Sequence, residues 1–480
     1  MMSRFASVTR ATFRKELRLL LRDRLCVALL ACFSVGLAWS SWNTNSRWHE
    51  FANQQVEGQS AAREAWLSQS TVNAHMATHV GQTAYKPVSP LSGFDPGALA
   101  DFGSTIFLQS HLQSTARKKP RENSVDLLQN EGYSPAVLLQ LVGPLLIIVL
   151  GNASIAREKD GGTLSILLTT GSSWPAIAMG KGVAVLLVLL LVAIPGLMVL
   201  ALPWFESSQW MHSTDLFVRQ AIIFATLMTY YAGWIGVSMW VSSKSISMTG
   251  SFSLLIALWS IFALVMPRIA GDVATFASPL PTSAEIRVEK EIAIHDANQS
   301  SIEKAKADRV LEARLLEEFQ VDRVEDLPID MAGAQMIDQE AHANRLYDEI
   351  DRRVRKATNQ QNEIIDGFQF ASPYLAMRTV SSSLSATDRT HHLDFVNAAE
   401  GYRRQFVNDL NLAEMNHQGP GSSPEDRRLF WSRVSEFHPD FVSVQEDVKR
   451  SLAALILITL WAIAAVVVSF CSPPKINQTR

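Results

Sequence analysis

Residues 156–181 read AREKDGGTLSILLTTGSSWPAIAMGK and separate two long runs that carry no charged residue. Four consecutive charged residues follow Ala156, and two glycines then interrupt the helix, because glycine gives up helical order readily. Thr163 is predicted to cap a short amphipathic helix that includes Leu164 and Leu167. Because the stretch lies between two membrane helices, it is predicted to be a docking element on one membrane face.

Six apolar runs along the chain predict a helical membrane protein. Each run is close to or longer than the roughly 20 residues that a helix needs to cross the hydrocarbon core. The expected fold class is therefore mainly α, in a polytopic membrane protein with six transmembrane helices. These helices are predicted at residues 25–42, 135–155, 182–204, 215–243, 245–266 and 451–472.

The distribution of charge predicts that both termini are cytoplasmic. The segments on that side would be residues 1–24, residues 156–181, Lys244 and the tail 473–480. Together they carry 13 basic and 4 acidic residues, whereas the whole chain has a net charge of −3. An excess of basic residues on the cytoplasmic side is the usual pattern in membrane proteins.

Residues 1–24 predict an interfacial entry helix. Apolar residues form one side of this helix among several arginines, which suits a helix in the headgroup region before the first crossing. The alternative is a cleaved secretory signal peptide. Trp39 and Trp42 resemble an interfacial anchor more than a cleavage site, which favours a retained membrane helix.

Two long segments, residues 43–134 and 267–450, are predicted to form two external, mainly helical domains. Residues 284–319 are rich in helix-forming residues and contain neither proline nor glycine. Neither segment shows the alternating pattern that is typical of strands. A basic cluster at residues 117–121 is interpreted as a solvated loop, with contact to anionic headgroups as the alternative.

The histidines and cysteines give no clear metal or disulfide site. All eleven histidines fall outside the predicted membrane helices, and His75 and His79 have the i, i+4 spacing of one helix face. Most non-membrane residues lie in the external segments, so we interpret these histidines as ordinary surface and packing residues and predict no metal site. Cys26, Cys32 and Cys471 lie in the first and last membrane helices, so no disulfide is expected in the external domains.

Common enzyme signatures are missing from the sequence. There is no G-x-S-x-G, no H-E-x-x-H and no paired-cysteine zinc pattern. Residues 175–182 read PAIAMGKG and approach a phosphate-binding loop, but they lack its first glycine and its final hydroxyl residue. We therefore expect no catalytic residue and no cofactor in this chain, and we predict no nucleic-acid partner.

Polar side chains in the predicted fourth membrane helix form a candidate pathway. Arg219 lies near one end of this helix, and Thr229, Tyr230 and Tyr231 lie near its middle. Polar groups inside a membrane commonly mark a substrate or ion pathway. The alternative is that the tyrosines and the threonine form hydrogen bonds with neighbouring helices.

The run REKDGGTLSILLTTGSSWPAIAMGKG resembles the segment of ABC-2-type exporter permeases that contains the coupling helix. Its matching positions are filled by Glu158, Gly162, Thr163, Leu164, Gly180 and Lys181, and Leu167 lies on the same short helix. Further stretches resemble the entry helix of the family, or the subgroup with a large external domain of unknown function between its last two crossings. They are residues 15–24, 89–104, 324–340 and 372–404.

The resemblance implies the permease subunit of an ABC transporter in the bacterial inner membrane. ATP and Mg²⁺ would bind to separate ABC ATPase subunits, so this chain would not itself be an enzyme. The other expected partners are the lipid bilayer, a second permease copy or a sister permease, and a periplasmic protein docked on the external domains. The resemblance implies export of a substrate. The alternatives are an ATP-driven membrane scaffold that acts on periplasmic partners without moving a substrate, and a membrane-anchored periplasmic enzyme.

Overall fold

The computed structural model describes residues 2–97, 99, 103–113, 133–201, 213–245, 247–299 and 301–474. The predicted basic cluster at 117–121 lies outside them. In chain order the helices are α1 (Met2–Arg22), α2 (Arg24–Leu67), α3 (Ala74–Val80), α4 (Pro135–Asp160), α5 (Thr163–Thr169), α6 (Trp174–Ala201), α7 (Ser213–Lys244), α8 (Met248–Ser260), α9 (Met266–Ala277), α10 (Ser283–Gln299), α11 (Ser301–Phe319), α12 (Met331–Gly367), α13 (Pro373–Leu384), α14 (Arg389–Met415), α15 (Pro424–Ser432) and α16 (Val444–Cys471).

Six helical segments are long and apolar enough to cross a membrane, which confirms the prediction of a mainly α membrane protein. A π-helical turn at Ile261–Val265 joins α8 and α9 into one of these segments. The six segments are α2, α4, α6, α7, α8 with α9, and α16.

The helices run past the apolar stretches from which they were predicted. The Asp23 carboxylate accepts hydrogen bonds from the first N–H groups of α2, which then continues for 44 residues. Likewise, α4 continues through the charged residues to Asp160 and ends only at Gly161. Charged residues such as Lys, Arg and Glu are good helix formers, so caps and glycines set the ends of these helices.

The described residues of the 43–134 and 267–450 segments, which are predicted to form two external domains, pack against each other. One hydrophobic cluster contains Trp66 of α2 together with Phe406 of α14 and Trp431 of α15, and two alanines of α3 also belong to it. In addition, the indole N–H of Trp66 donates to the Trp431 carbonyl at 3.1 Å. We call the described residues of 43–113 and 278–443 the extramembrane unit, after the location predicted for them.

The extramembrane unit also contains two short strands that are not predicted from the sequence. Strand β1 (Gln82–Tyr85) pairs antiparallel with β2 (Thr105–Leu108), and Ala84 lies opposite Ile106. The buried side of this pair packs against Phe395 of α14. Strands of four residues are too short to show a clear alternation in the sequence.

Candidate functional site

Helix α5 connects α4 to α6 within the 156–181 segment, and it has one buried and one exposed face. Gly162 and Gly171 flank it with φ angles of 70° and 86°, which glycine adopts without strain. Leu164 is only 3% exposed, and Leu167 packs against the core of the spanning helices. On the other face the side chain of Ile166 is 61% exposed. The helix is therefore anchored on one side and presents an apolar residue to solvent on the other.

Thr163 does not cap α5, contrary to the prediction. It is the first residue of the helix, and Gly162 occupies the N-cap position without a side chain to form the capping hydrogen bond. The Thr163 hydroxyl instead donates to the main-chain carbonyl of Glu158 at 3.1 Å. It thus satisfies a carbonyl at the end of α4 and ties that helix to the start of α5.

Four charged side chains meet where α1, α4 and α6 cross. The Nζ atom of Lys181 lies 2.7 Å from Glu16 Oε2 and 3.1 Å from Glu158 Oε1. The Nζ atom of Lys15 lies 2.6 Å from the same Glu158 oxygen. Lys181 also donates to the hydroxyl and the carbonyl of Ser154. We call Lys15, Glu16, Glu158 and Lys181 the charged cluster.

The charged cluster is largely removed from solvent. Lys181 is fully buried, and Glu16 and Glu158 are 2% and 6% exposed. Two cations therefore balance two carboxylates, which offsets part of the cost of taking each charge out of water. Glu158 and Lys181 are predicted from the sequence, but Glu16 and Lys15 are not, because they lie more than 140 residues away in the chain. These two residues can be identified only once it is known that α1 packs against α6.

Gly180 permits the close crossing of α1 over α6. A Cβ atom at this position would lie 2.6 Å from the Thr9 carbonyl oxygen and 3.0 Å from the Phe13 main-chain nitrogen. Because both are backbone atoms of a helix, they cannot swing aside as a side chain would. Gly180 therefore fixes the approach that brings Glu16 to Lys181.

Further contacts connect the 156–181 segment to other spanning helices. Arg157 forms an ion pair of 3.0 Å with Asp23, at the junction of α1 and α2. Lys159 donates to main-chain carbonyls at the end of α7. The indole N–H of Trp174 donates to the Ser469 carbonyl of α16 at 2.8 Å. A displacement of this segment would therefore also shift its contacts with α2, α7 and α16.

The tyrosines and the threonine of the candidate pathway form hydrogen bonds with the helices. The hydroxyls of Tyr230 and Tyr231 donate to main-chain carbonyls of α4 at 3.1 and 2.9 Å, and both side chains are buried. Thr229 donates to a carbonyl of its own helix at 2.9 Å. The contacts of the two tyrosines correspond to the alternative interpretation, hydrogen bonding to a neighbouring helix, whereas the Thr229 bond stays within α7.

Arg219 takes part in a buried chain of charges that reaches into the extramembrane unit. Its Nη1 atom lies 2.6 Å from Asp447 Oδ2 of α16, and neither side chain is exposed. The second Asp447 oxygen lies 3.1 Å from Nε2 of His391 in α14. The Nδ1 atom of His391 lies 2.7 Å from Asp388. These four residues link α7 and α16 to the extramembrane unit.

We expect His391 to make the stability of the protein depend on pH. Burial alone would lower the pKa of His391, but the hydrogen bonds and charges of Asp388 and Asp447 raise it to about 9. Arg219 and Arg450 also face these carboxylates. The stabilisation is complete below the unfolded-state pKa of 6.5 and is lost as the pH rises through the folded-state value. The free energy of unfolding is expected to fall by about 3 kcal/mol as the pH rises from below the unfolded-state pKa to above the folded-state pKa.

Thermal unfolding of the purified protein in detergent from pH 6 to pH 10 measures this loss. The variant His391→Gln retains hydrogen-bonding groups but cannot be protonated, so its melting temperature should fall less over this range. Equal pH dependence in both proteins would show that His391 is not the responsible group.

Comparison with known proteins gives one family match. Residues 287–441 match the model of a family described as a domain of unknown function, DUF3526. A search of curated proteins gives no match to this chain. The matched residues run from α10 to the segment before α16, between the last two candidate spanning segments, where the resemblance predicted such a domain. They include Asp388 and His391, and the match assigns no activity to them.

Proposed function

We propose that this chain is the permease subunit of an ABC transporter, and that it exports a substrate across the bacterial inner membrane. The observation that carries the proposal is the geometry of α5. This short helix has a buried leucine face, an exposed Ile166, and a direct connection to two candidate spanning helices. The charge pattern favours the cytoplasmic side for it, where a separate ATPase would dock.

The charged cluster supports a transmission role for the segment. Glu158 lies in the last turn of the helix before α5, and Lys181 lies in the helix after it. In α1, Glu16 pairs with Lys181 and Lys15 pairs with Glu158. A push on α5 would then move three helices together instead of bending the turns at Gly162 and Gly171. We infer that closure of an ATP-bound ATPase pair supplies this push and that the permease moves as a dimer, because paired ATPases require two docking sites. The dimer would contain a second copy or a sister permease.

The exposed face of α5 allows a direct test of docking. We expect Ile166→Asp to reduce the amount of co-purified ATPase more than tenfold, because it places a charge in the apolar centre of the contact. A matched control is Ile292→Asp in α10, since Ile292 is similarly exposed, at 53%, and lies in the extramembrane unit. The measurement is a pull-down of the tagged protein from its native host in mild detergent, with quantification of bound subunits.

The outcomes of this pull-down are distinct. Loss of a bound ATPase with Ile166→Asp, but not with Ile292→Asp, supports docking through α5. An ATPase retained equally by both variants contradicts the assignment of α5. Purification without any ATPase contradicts the proposed transporter and favours a membrane-anchored protein that works without one.

A second candidate function is an ATP-driven scaffold that moves periplasmic partners without transporting a substrate. It is favoured by the bonding of Tyr230 and Tyr231 within the helix packing and by the buried link from Arg219 to His391. Substrate-independent stimulation of the ATPase by a periplasmic partner in liposomes would favour the scaffold. Accumulation of a substrate inside inverted vesicles, dependent on ATP, would favour transport.

A further inference from the structure

Three histidines of the 43–134 segment converge in the extramembrane unit. His75 and His79 lie four residues apart on α3, and His111 follows β2. One ring nitrogen of each lies within 4.8 Å of those of the other two. The centroids of the three rings are 5.1 to 5.9 Å apart. We call these residues the histidine cluster.

Each ring of the histidine cluster is oriented by a protein oxygen at its Nδ1 atom. When Nδ1–H donates to such an oxygen, the tautomer is fixed and Nε2 carries the free lone pair, which is the usual arrangement of metal-binding histidines. The Nδ1 atoms of His75, His79 and His111 lie 2.8, 3.2 and 3.2 Å from Asn411 Oδ1, Ser110 Oγ and Glu340 Oε2, respectively.

The position of His111 is fixed by the extramembrane unit despite an unfavourable backbone. Its φ angle is 58°, in the left-handed region that non-glycine residues adopt rarely. The Tyr347 hydroxyl donates to the His111 carbonyl at 2.8 Å, and the His111 N–H donates to Glu340 at 3.1 Å. Glu340 is itself paired with the buried Arg403. Several contacts with α12 and α14 thus hold one imidazole against the other two.

The composition of the cluster selects the class of ligand. Three imidazoles suit a transition metal such as Zn²⁺, whereas Ca²⁺ and Mg²⁺ prefer oxygen ligands. Nitrogens bound to one tetrahedral zinc ion are about 3.3 Å apart, since each Zn–N bond is about 2.0–2.1 Å long. In this structure the nitrogens lie within 4.8 Å of one another and would have to move closer. His79 is exposed and the His111 side chain is 41% exposed, so both rings have room for this rotation.

We propose that His75, His79 and His111 bind one zinc-class divalent ion through their Nε2 atoms, with a fourth position open to solvent. The ion would also stabilise packing between the two parts of the extramembrane unit. Its ligands lie in the 43–134 segment, while Asn411 and Glu340, which orient two of them, lie in the part that matches the domain of unknown function. This assignment does not depend on the proposed transport function.

The test uses the full-length protein in detergent, purified with an affinity tag that contains no histidine and treated with EDTA. Calorimetric titration with ZnCl₂ is expected to give one equivalent of tight binding. His79→Ala removes an exposed side chain without creating a cavity and should weaken zinc binding more than tenfold. The matched control is His342→Ala, which removes an exposed histidine of α12 outside the cluster and should bind zinc like the unmodified protein.

A second variant and a second measurement separate ligation from incidental binding. Ser110→Ala leaves all three ligands in place but removes the oxygen beside His79, so zinc affinity should fall about tenfold. Zinc should raise the melting temperature of the unmodified protein and of His342→Ala, but not that of His79→Ala. Equal zinc affinity in the unmodified protein and His79→Ala, or no zinc binding by the unmodified protein, would overturn the proposal.

Discussion

Replacement of Lys181 by methionine is expected to lower the free energy of unfolding by about 3–5 kcal/mol. The change leaves Glu16 and Glu158 buried beside each other, with only the half-exposed Lys15 as a remaining cation. Removing one partner of a buried ion pair destabilises the folded protein, because the remaining charge is still desolvated but no longer attracted by an opposite charge. Thermal unfolding in detergent, compared with the unmodified protein, measures the effect.

The companion variant Glu158→Gln separates stability from transmission. It keeps the shape of the side chain, and Lys181 retains its pair with Glu16, so the loss of stability should be much smaller than for Lys181→Met. If the charged cluster transmits the motion of α5, this variant should still bind the ATPase but lose most of the stimulation of ATP hydrolysis. Normal stimulation with Glu158→Gln would remove the charged cluster from the proposed mechanism.

The second large effect is expected at the pair of Arg219 and Asp447. The variant Asp447→Leu leaves a fully buried guanidinium next to the charged His391, which should cost about 3–5 kcal/mol. The double variant Arg219→Leu/Asp447→Leu removes both charges and should be more stable than Asp447→Leu alone. A surface control outside this network is Arg287→Ala, whose exposed pair with Glu291 should contribute less than about 1 kcal/mol.

A double-mutant cycle of Arg219 and Asp447 gives the coupling energy directly. Additive effects of the two single replacements would show that the side chains do not interact in the folded protein. A non-additive result, together with a smaller pH dependence in Asp447→Leu, would place His391 in the same network. The two readouts are independent. The mutant cycle measures the free energy of unfolding at one pH, whereas the other experiment measures how this free energy changes with pH.

The spanning helices could be predicted because a run of about 20 apolar residues has few alternatives in a protein of this kind. Their ends were harder to predict. The sequence placed the end of the second crossing at residue 155, where charge begins, but α4 continues to Asp160 because charged residues sustain a helix. In the same way, Trp174 starts α6 well before the apolar run at residue 182.

The partners of the candidate site could be predicted only in part. Glu158 and Lys181 lie in one recognisable segment, whereas Glu16 reaches them through a helix crossing that no local pattern encodes. The histidine cluster is a similar case. The i, i+4 spacing of His75 and His79 is visible in the sequence, but the third ring comes from the residue after β2, in a backbone conformation that no periodicity predicts.

The uninterrupted length of α2 has a mechanical consequence. At about 1.5 Å per residue its 44 residues extend about 66 Å, and the part after residue 42 extends about 38 Å. The Ser41 hydroxyl donates to the Pro195 carbonyl of α6 at 3.1 Å, so α2 is attached to a helix that follows α5. If α2 stays straight, a tilt of about 10° about a point near residue 42 moves Trp66 by about 6 Å. Because Trp66 packs on Trp431, small rotations within the membrane would be amplified into displacements at the far side of the extramembrane unit.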